Sequence, residues 1–199
     1  MFEALVLFVF IGYLAFLRSG GVMDFLILIV VILSVAPGIY SIIFGAPYII
    51  TNKKRILSVL KFGKFKKVDC VYELGCGDGR IIRQISSKFN VKKAVGYEYS
   101  FPTYLFALLI KFLYRTHEKI VFKNFWKKNF SDADVIILFL SDRAMNRFYK
   151  NIWSKLKKGT RVITNEFLLP NEKFVETEHR VYLYVKGYLN FFENYFFKK

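Results

Sequence analysis

The pattern of hydrophobic and polar positions divides the chain into two parts. Apolar residues dominate up to residue 50, and the stretch 25–50 contains no charged side chain over 26 residues. From residue 68 onward, short runs rich in β-branched and aromatic residues alternate with longer segments of helical periodicity. This alternation is typical of βαβ units, so the second part is predicted to be an α/β domain with a largely parallel sheet.

The second part predicts a definite order of elements. Strands are expected at 68–73, 94–97, 120–123, 135–140 and 160–165, with helices between them at 80–88, 102–114 and 142–156. The last of these helices ends in Lys157, Lys158 and Gly159, a basic last turn followed by a glycine stop. After Pro170, two further runs at 174–178 and 181–185 predict an antiparallel pair, which would bring the sheet to seven strands.

The first part has the composition of a membrane anchor. A helix needs about 20 apolar residues to cross a bilayer core, so residues 25–44 are predicted to span a membrane and residues 1–17 form a second, marginal run. Two such runs joined by a turn would make a helical hairpin. A cleaved signal peptide is the alternative, although the first run carries Glu3 instead of a basic start. The predicted division is an anchor at 1–50, a linker with a pre-domain helix at 51–67, and the α/β domain at 68–199.

Charge follows the same division. The chain has 31 Lys and Arg against 15 Asp and Glu, a net charge of +16, and the whole positive excess lies after residue 50, because Glu3, Arg18 and Asp24 are the only charged residues before it. Because basic residues begin with Lys53 directly after the apolar run, the positive-inside bias predicts that the domain faces the cytoplasm. A basic surface attracts anionic lipid headgroups and nucleic acid. Since no stretch resembles a recognisable RNA-binding module, nucleic acid is the least favoured partner.

Cys70 and Cys76 show no disulfide or zinc pattern, so no metal is expected.

The segment most informative about chemistry is the one at 73–79, which reads ELGCGDG. Here a strand ends at Glu73, and Gly75, Gly77 and Gly79 alternate before a helix begins, which permits a tight turn and a close approach of the backbone to a ligand. A dinucleotide fingerprint would need glycine where Arg80 stands, which disfavours NAD and FAD.

The next strand ends in a second acid. Glu98 follows Gly79 by 19 residues, at a position where a carboxylate accepts hydrogen bonds from ribose hydroxyls in Rossmann folds.

Together these residues resemble motif I and the following acid of the class I S-adenosylmethionine-dependent methyltransferases. The resemblance implies a Rossmann-like seven-strand methyltransferase sheet with S-adenosylmethionine as cofactor, and Glu73 near the cofactor's ammonium group. The cofactor-binding residues are then predicted to be Glu73, Gly75, Cys76, Gly77, Gly79, Glu98, Tyr99, Asn124 and Phe125. Tyr99 could stack on adenine, Asn124 could pair with its amino group, and Phe125 could pack on the ring, although Asn124 is equally read as a surface-loop residue.

A closer resemblance joins the segments 45–51, 72–80, 95–98 and 157–162. It is to the ATP synthase c-subunit lysine methyltransferase family and its prokaryotic protein lysine methyltransferase relatives, over residues 45–185. The resemblance implies a membrane segment, a pre-domain loop that includes Tyr48, and a lysine acceptor on a membrane-associated protein.

The fourth strand leads to the predicted acceptor position. Ser141 and Asp142 follow this strand, where class I methyltransferases place the acceptor. The sequence there departs from the Asp-Pro-Pro-Tyr element, which argues against enzymes acting on exocyclic amines of nucleic acids. Asp142 is better read as an N-cap of the following helix than as a reacting group.

Transfer of a methyl group to a neutral amine depends mainly on positioning and desolvation. Aromatic walls such as Tyr48 and Trp126 would lower the pKa of a substrate lysine, although core packing is the simpler reading of Trp126.

Two other functions stay open. One is methylation of a lipid or another membrane-embedded small molecule, suggested by the anchor and the aromatic tail at 190–197. The other is a non-catalytic scaffold that binds the cofactor or a partner.

Overall fold

A single mixed sheet organises the part of the chain that begins at Ile50. The structure, a computed structural model, describes residues 13–14, 21–30 and 50–188. Within them the sheet has seven strands in the order β3-β2-β1-β4-β5-β7-β6. The strands are β1 Cys70–Leu74, β2 Lys93–Glu98, β3 Lys119–Phe122, β4 Val135–Leu138, β5 Arg161–Asn165, β6 Glu176–Glu178 and β7 Val181–Val185. The first five are parallel, and β7 runs antiparallel to both β5 and β6.

Four α-helices accompany these strands. They are α1 Lys53–Gly63, α2 Arg80–Phe89, α3 Phe101–Tyr114 and α4 Asp142–Asn151, and short 3-10 turns occur at Phe125–Lys127 and Trp153–Lys155. Asn52 caps α1, since its side-chain oxygen accepts a hydrogen bond from the backbone N–H of Arg55 at 2.9 Å. The central strands are buried on both faces because helices cover each side, as is usual for parallel sheets.

Successive side chains of each strand point to opposite faces of the sheet, and each face has its own hydrophobic core. In β1, Val71 packs on the face covered by α1, α2 and α3, while Tyr72 packs on the opposite face. Met145 and Phe148 of α4 belong to the Tyr72 side. Both faces are therefore filled, and the edge of the sheet where the parallel strands end is the place left for a ligand.

The predicted α/β architecture is confirmed, including the antiparallel closing pair. The strands lie within two residues of the predicted limits at every end. The third predicted helix is shorter than expected, since it ends at Asn151 and the chain continues through Ile152 into the 3-10 turn Trp153–Lys155. Helix α1 packs against β5, β6 and β7, so it is part of this unit and not a free linker.

The structure contradicts the prediction of N-terminal transmembrane helices. Among the described residues, no helix combines the length and apolar character that crossing a bilayer requires. The predicted membrane location and the bilayer as partner lose their support with it. The remaining residues of the predicted hairpin, 1–12, 15–20 and 31–49, lie outside the described residues.

Candidate functional site

The carboxyl edge of the parallel strands brings the predicted site residues together. Leu74 of β1 is in register with Tyr97 of β2 and with Leu138 of β4, so the three strands end side by side. The glycine-rich loop follows β1, Glu98 closes β2, and Ser141 comes shortly after β4. Ligands of open α/β sheets bind at this edge.

Three glycines shape the loop between β1 and α2. Gly75, Gly77 and Gly79 have φ of +77°, +56° and +74°, in the left-handed region that costs other residues about 1–2 kcal/mol. The backbone N–H groups of Gly75 and Cys76 both donate to the carbonyl of Tyr97, at 2.9 and 3.0 Å. A Cβ on Gly79 would lie 3.1 Å from Cδ1 of Ile120. The loop conformation therefore depends on glycine, and it leaves a backbone cradle next to β2.

Glu73 lies beneath this loop and is almost completely buried. Its Oε2 accepts a hydrogen bond from the backbone N–H of Ile82 at 2.9 Å, which satisfies a free donor in the first turn of α2. Burial raises the pKa of Glu73 to about 8, and the charges of Asp78 and Glu98 add to the increase. A ligand with a positive group would stabilise the carboxylate here. This environment fits the ammonium of an amino-acid moiety.

Glu98 has a more polar environment. Its Oε2 accepts from the backbone N–H of Gly77 at 2.9 Å, and its Oε1 accepts from Tyr99 and Ser100 at 2.9 and 2.7 Å. Burial raises the pKa of Glu98, and these three bonds oppose that increase. The carboxylate thereby ties the glycine-rich loop to the end of β2. Since a carboxylate has about four acceptor positions, capacity remains for a ribose hydroxyl.

Gly96 is a residue of this site that the sequence reading missed. A Cβ on Gly96 would lie 2.7 Å from Sγ and 2.8 Å from Cβ of Cys76, so the strand can pass under the loop only without a side chain. The Cys76 thiol is buried against β2, and burial raises its pKa. Only the backbone of Cys76 is thus placed to contact a ligand. An isolated glycine within a strand signals close approach of another chain segment, and this signal was present in the sequence.

The residues predicted to surround adenine differ in their accessibility. Tyr99 is 47% exposed and stacks on Phe122 with ring centroids 6.0 Å apart. The side-chain oxygen of Asn124 accepts from the backbone N–H of Trp126 at 3.0 Å, so Asn124 caps the following 3-10 turn. Phe125 is buried in the core and packs on Trp126. Tyr99 and Asn124 are accessible to a ligand, whereas Phe125 supports the wall from behind.

The predicted acceptor position lies after β4. Leu140 is buried, and its Cδ2 is 3.7 Å from where a Cβ on Gly75 would stand, so this segment adjoins the glycine-rich loop. Ser141 is the N-cap of α4 with φ −65° and ψ 160°, and Asp142 is the first helical residue. The interpretation of Asp142 as the N-cap is therefore wrong by one position, because Ser141 has the extended backbone that a cap requires. Both side chains are exposed. Tyr48 lies outside the described residues.

Two aromatic residues that the sequence reading missed stand beside this position. Phe139 follows β4 and Phe167 follows β5, both are half-buried, and their ring centroids are 6.4 Å apart. No local sequence signal links them, because their proximity depends on the pairing of β4 with β5.

Comparison with known proteins gives consistent matches. A family model described as the ANTKMT methyltransferase domain matches residues 73–176. A protein-lysine N-methyltransferase of Saccharolobus islandicus (strain REY15A) is 36% identical over 151 residues, covering 71% of this chain and 94% of the relative.

Solved structures share the fold. An RNA methyltransferase from Salinibacter ruber in complex with S-adenosyl-L-homocysteine has a TM-score of 0.65 at 20% identity, covering 69% of this chain and 94% of that one. A mutant of MtNAS in complex with S-adenosylmethionine has a TM-score of 0.55 at 12% identity, covering 66% of this chain and 62% of that one.

Proposed function

The chain belongs to the ANTKMT methyltransferase family, and we propose that it transfers a methyl group from S-adenosylmethionine to lysine side chains of a protein. Methyl transfer dependent on S-adenosylmethionine follows from the family. The choice of lysine rests on the 36% identical relative, which is a protein-lysine N-methyltransferase. The bound cofactor supplies an electrophilic methyl group on a sulfonium.

The observation that carries the cofactor site is the placement of two acids on either side of the glycine-rich loop. Glu73 offers a buried carboxylate for a cationic group, and Glu98 offers a hydrogen-bonded carboxylate for hydroxyls. We assign Glu73 to the methionine end and Glu98 to the ribose. The backbone of Gly75, Cys76, Gly77 and Gly79 would line the space between them, with Tyr99 and Asn124 beside the adenine.

At the acceptor end, the chain's own residues would position and desolvate the amine. Phe139 and Phe167 provide an apolar wall, and removal of water lowers the pKa of a lysine ammonium toward neutrality. In the described segment that follows β4, Asp142 is the first carboxylate, and it is exposed at the start of α4. Bulk water can take the ammonium proton before transfer, so the proposal needs no buried base.

The test is methylation by the purified full chain. Extract proteins are incubated with deuterium-labelled S-adenosylmethionine, and the modified residues are located by mass spectrometry. We expect labelled lysine with the wild type and at least a tenfold loss with Glu98→Gln, on the order of one lost charge-assisted hydrogen bond. The matched control is Asp134→Asn, since Asp134 also accepts a backbone hydrogen bond, from Cys70 at 2.8 Å, but precedes β4 at the opposite edge. Label in RNA or lipid without labelled lysine would contradict the lysine assignment.

A further inference from the structure

The surface beside the acceptor position is basic and partly fixed in place. The guanidinium of Arg147 on α4 lies over the indole of Trp126, 4.5 Å from the ring centroid. This contact joins α4 to the 3-10 turn after β3. Arg143 and Lys150 lie on the same side of α4 as Arg147, one turn to either side, and Lys127 follows Trp126. These four cations, all exposed, are called the α4 basic face.

The α4 basic face has no internal neutralisation. Within residues 50–188, none of its four cations forms an ion pair with a carboxylate. Basic residues near β5 and β7 behave differently, since Arg55 and Arg180 both pair with Glu166 and Arg161 pairs with Asp69. Asp142 is the only acid in α4. The positive charge of this face is therefore available to a partner.

The face is also close to the place where the substrate amine must lie. Leu140 adjoins the glycine-rich loop, and Arg143 follows it by three residues, a path of at most about 11 Å. Arg147 is one helical turn beyond Arg143, about 6 Å further along. An extended peptide advances about 3.3 Å per residue, so positions about three to six residues from a target lysine would cross the face.

We propose that the α4 basic face binds acidic residues that flank the target lysine, so that the enzyme selects lysines in acidic surroundings. The inference rests on the proposed lysine methylation and adds a substrate class to it. A basic rim repels a lysine-rich segment and attracts one whose ammonium is accompanied by carboxylates. The stack of Arg147 on Trp126 holds one guanidinium in a fixed orientation, which favours bidentate binding of a carboxylate.

The test uses three synthetic peptides of equal length with one central lysine, flanked by Glu, Gln or Arg at the positions that would cross the face. The full chain is assayed for kcat/KM by mass spectrometry, and for binding by fluorescence anisotropy with S-adenosylhomocysteine present. We expect the Glu peptide to exceed the Gln peptide by about tenfold at low salt, since several exposed ion pairs act together, and the advantage to shrink as salt is added.

A charge-reversal pair separates this face from the overall charge of the chain. Arg143→Glu with Arg147→Glu should remove most of the preference for the Glu peptide while leaving cofactor affinity unchanged. The matched control is Lys88→Glu with Lys92→Glu, the same change of charge on exposed residues at the amino edge of β2, and it should retain the preference. Equal values for Glu and Gln peptides, or equal losses in both variants, would overturn the proposal.

Two further outcomes are informative. If no peptide is methylated, the anisotropy series decides the proposal, and equal affinities for the Glu and Gln peptides overturn it. If a single-stranded RNA oligonucleotide of similar length binds more tightly than the Glu peptide and loses that binding only in the Arg143→Glu, Arg147→Glu variant, the face serves nucleic acid and the proposal is overturned.

Discussion

Cofactor binding is expected to release a proton from Glu73. The pKa of this carboxyl is raised to about 8 because it is buried, with one backbone hydrogen bond from Ile82 to offset the cost. At pH 7 a group with that pKa is about nine-tenths protonated. If the ammonium of the cofactor binds beside it, the opposite charge favours the carboxylate and lowers its pKa. Binding at pH 7 should then release up to about 0.9 proton from Glu73.

Isothermal titration calorimetry measures this number. The observed binding enthalpy at one pH is plotted against the ionisation enthalpy of several buffers, and the slope gives the protons exchanged. The α-amino group of the cofactor also titrates near pH 8 and contributes to the slope. Glu73→Gln keeps that contribution and removes the one from the carboxyl, so the difference between the two slopes isolates Glu73. Glu98→Gln should bind more weakly and keep most of the wild-type slope.

The comparison of the two proteins decides the question. If wild type and Glu73→Gln exchange the same number of protons, then either Glu73 is ionised before the cofactor arrives or the ammonium binds elsewhere. The second result refutes the assignment of Glu73 to the methionine end, whereas the first refutes its raised pKa, and a loss of cofactor affinity in Glu73→Gln is expected only in the first case. A repeat at pH 9, above the pKa, should show a much smaller difference, because the carboxyl is then largely ionised in the free protein.

Three further predictions concern the same loop. Glu98→Gln should weaken cofactor binding in calorimetry by about tenfold to a hundredfold, since it places a side-chain amide against the Gly77 N–H, whereas Asp134→Asn should leave affinity within about twofold. Gly79→Ala should lower both the thermal midpoint and cofactor affinity. Gly159→Ala is its control, because Gly159 also has positive φ but has no atom within 4 Å of an added Cβ, and it should lower the midpoint alone. Glu73→Gln should stabilise the free protein increasingly between about pH 4.5 and pH 8. Because the pKa of Glu73 is raised in the native state, the stability that it contributes is present below its unfolded pKa and is lost as the pH rises through the native value. The same difference in free energy of unfolding between Glu73→Gln and wild type at pH 5 and at pH 8 would contradict this.

The fold was predictable wherever local pattern and global burial agree. The strand at Val181–Val185 has the predicted limits, because an apolar run bounded by turn residues leaves little choice of register. The limits of α4 were less predictable. Ser141 and Asp142 are both good N-cap residues, and only the backbone angles of Ser141 decide between them. Helix α4 ends before Ile152, and Trp153 of the following 3-10 turn is buried in the core, a long-range packing that local pattern does not predict.

Contacts between distant parts of the chain were beyond the reach of the sequence. The stack of Arg147 on Trp126 depends on how the crossing from β3 to β4 lies against α4. Glu166 has φ of +72° and pairs with both Arg55 and Arg180, three residues that no sequence motif connects. Gly96 is the exception, because a lone glycine two positions before Glu98 already signals the close approach of Cys76.

The two acids of the candidate site differ in a way that suits the two ends of one ligand. Glu98 receives three backbone hydrogen bonds and Glu73 receives one, so burial is better offset at Glu98. A carboxyl that is costly to ionise gains most from a cation. A carboxylate that already accepts three backbone hydrogen bonds needs a cation less and can accept a further bond from a neutral hydroxyl. The site therefore favours a ligand with an ammonium at the Glu73 end and a diol at the Glu98 end. A dinucleotide is disfavoured separately, because Arg80 stands where its fingerprint needs a third glycine for close packing of helix on strand.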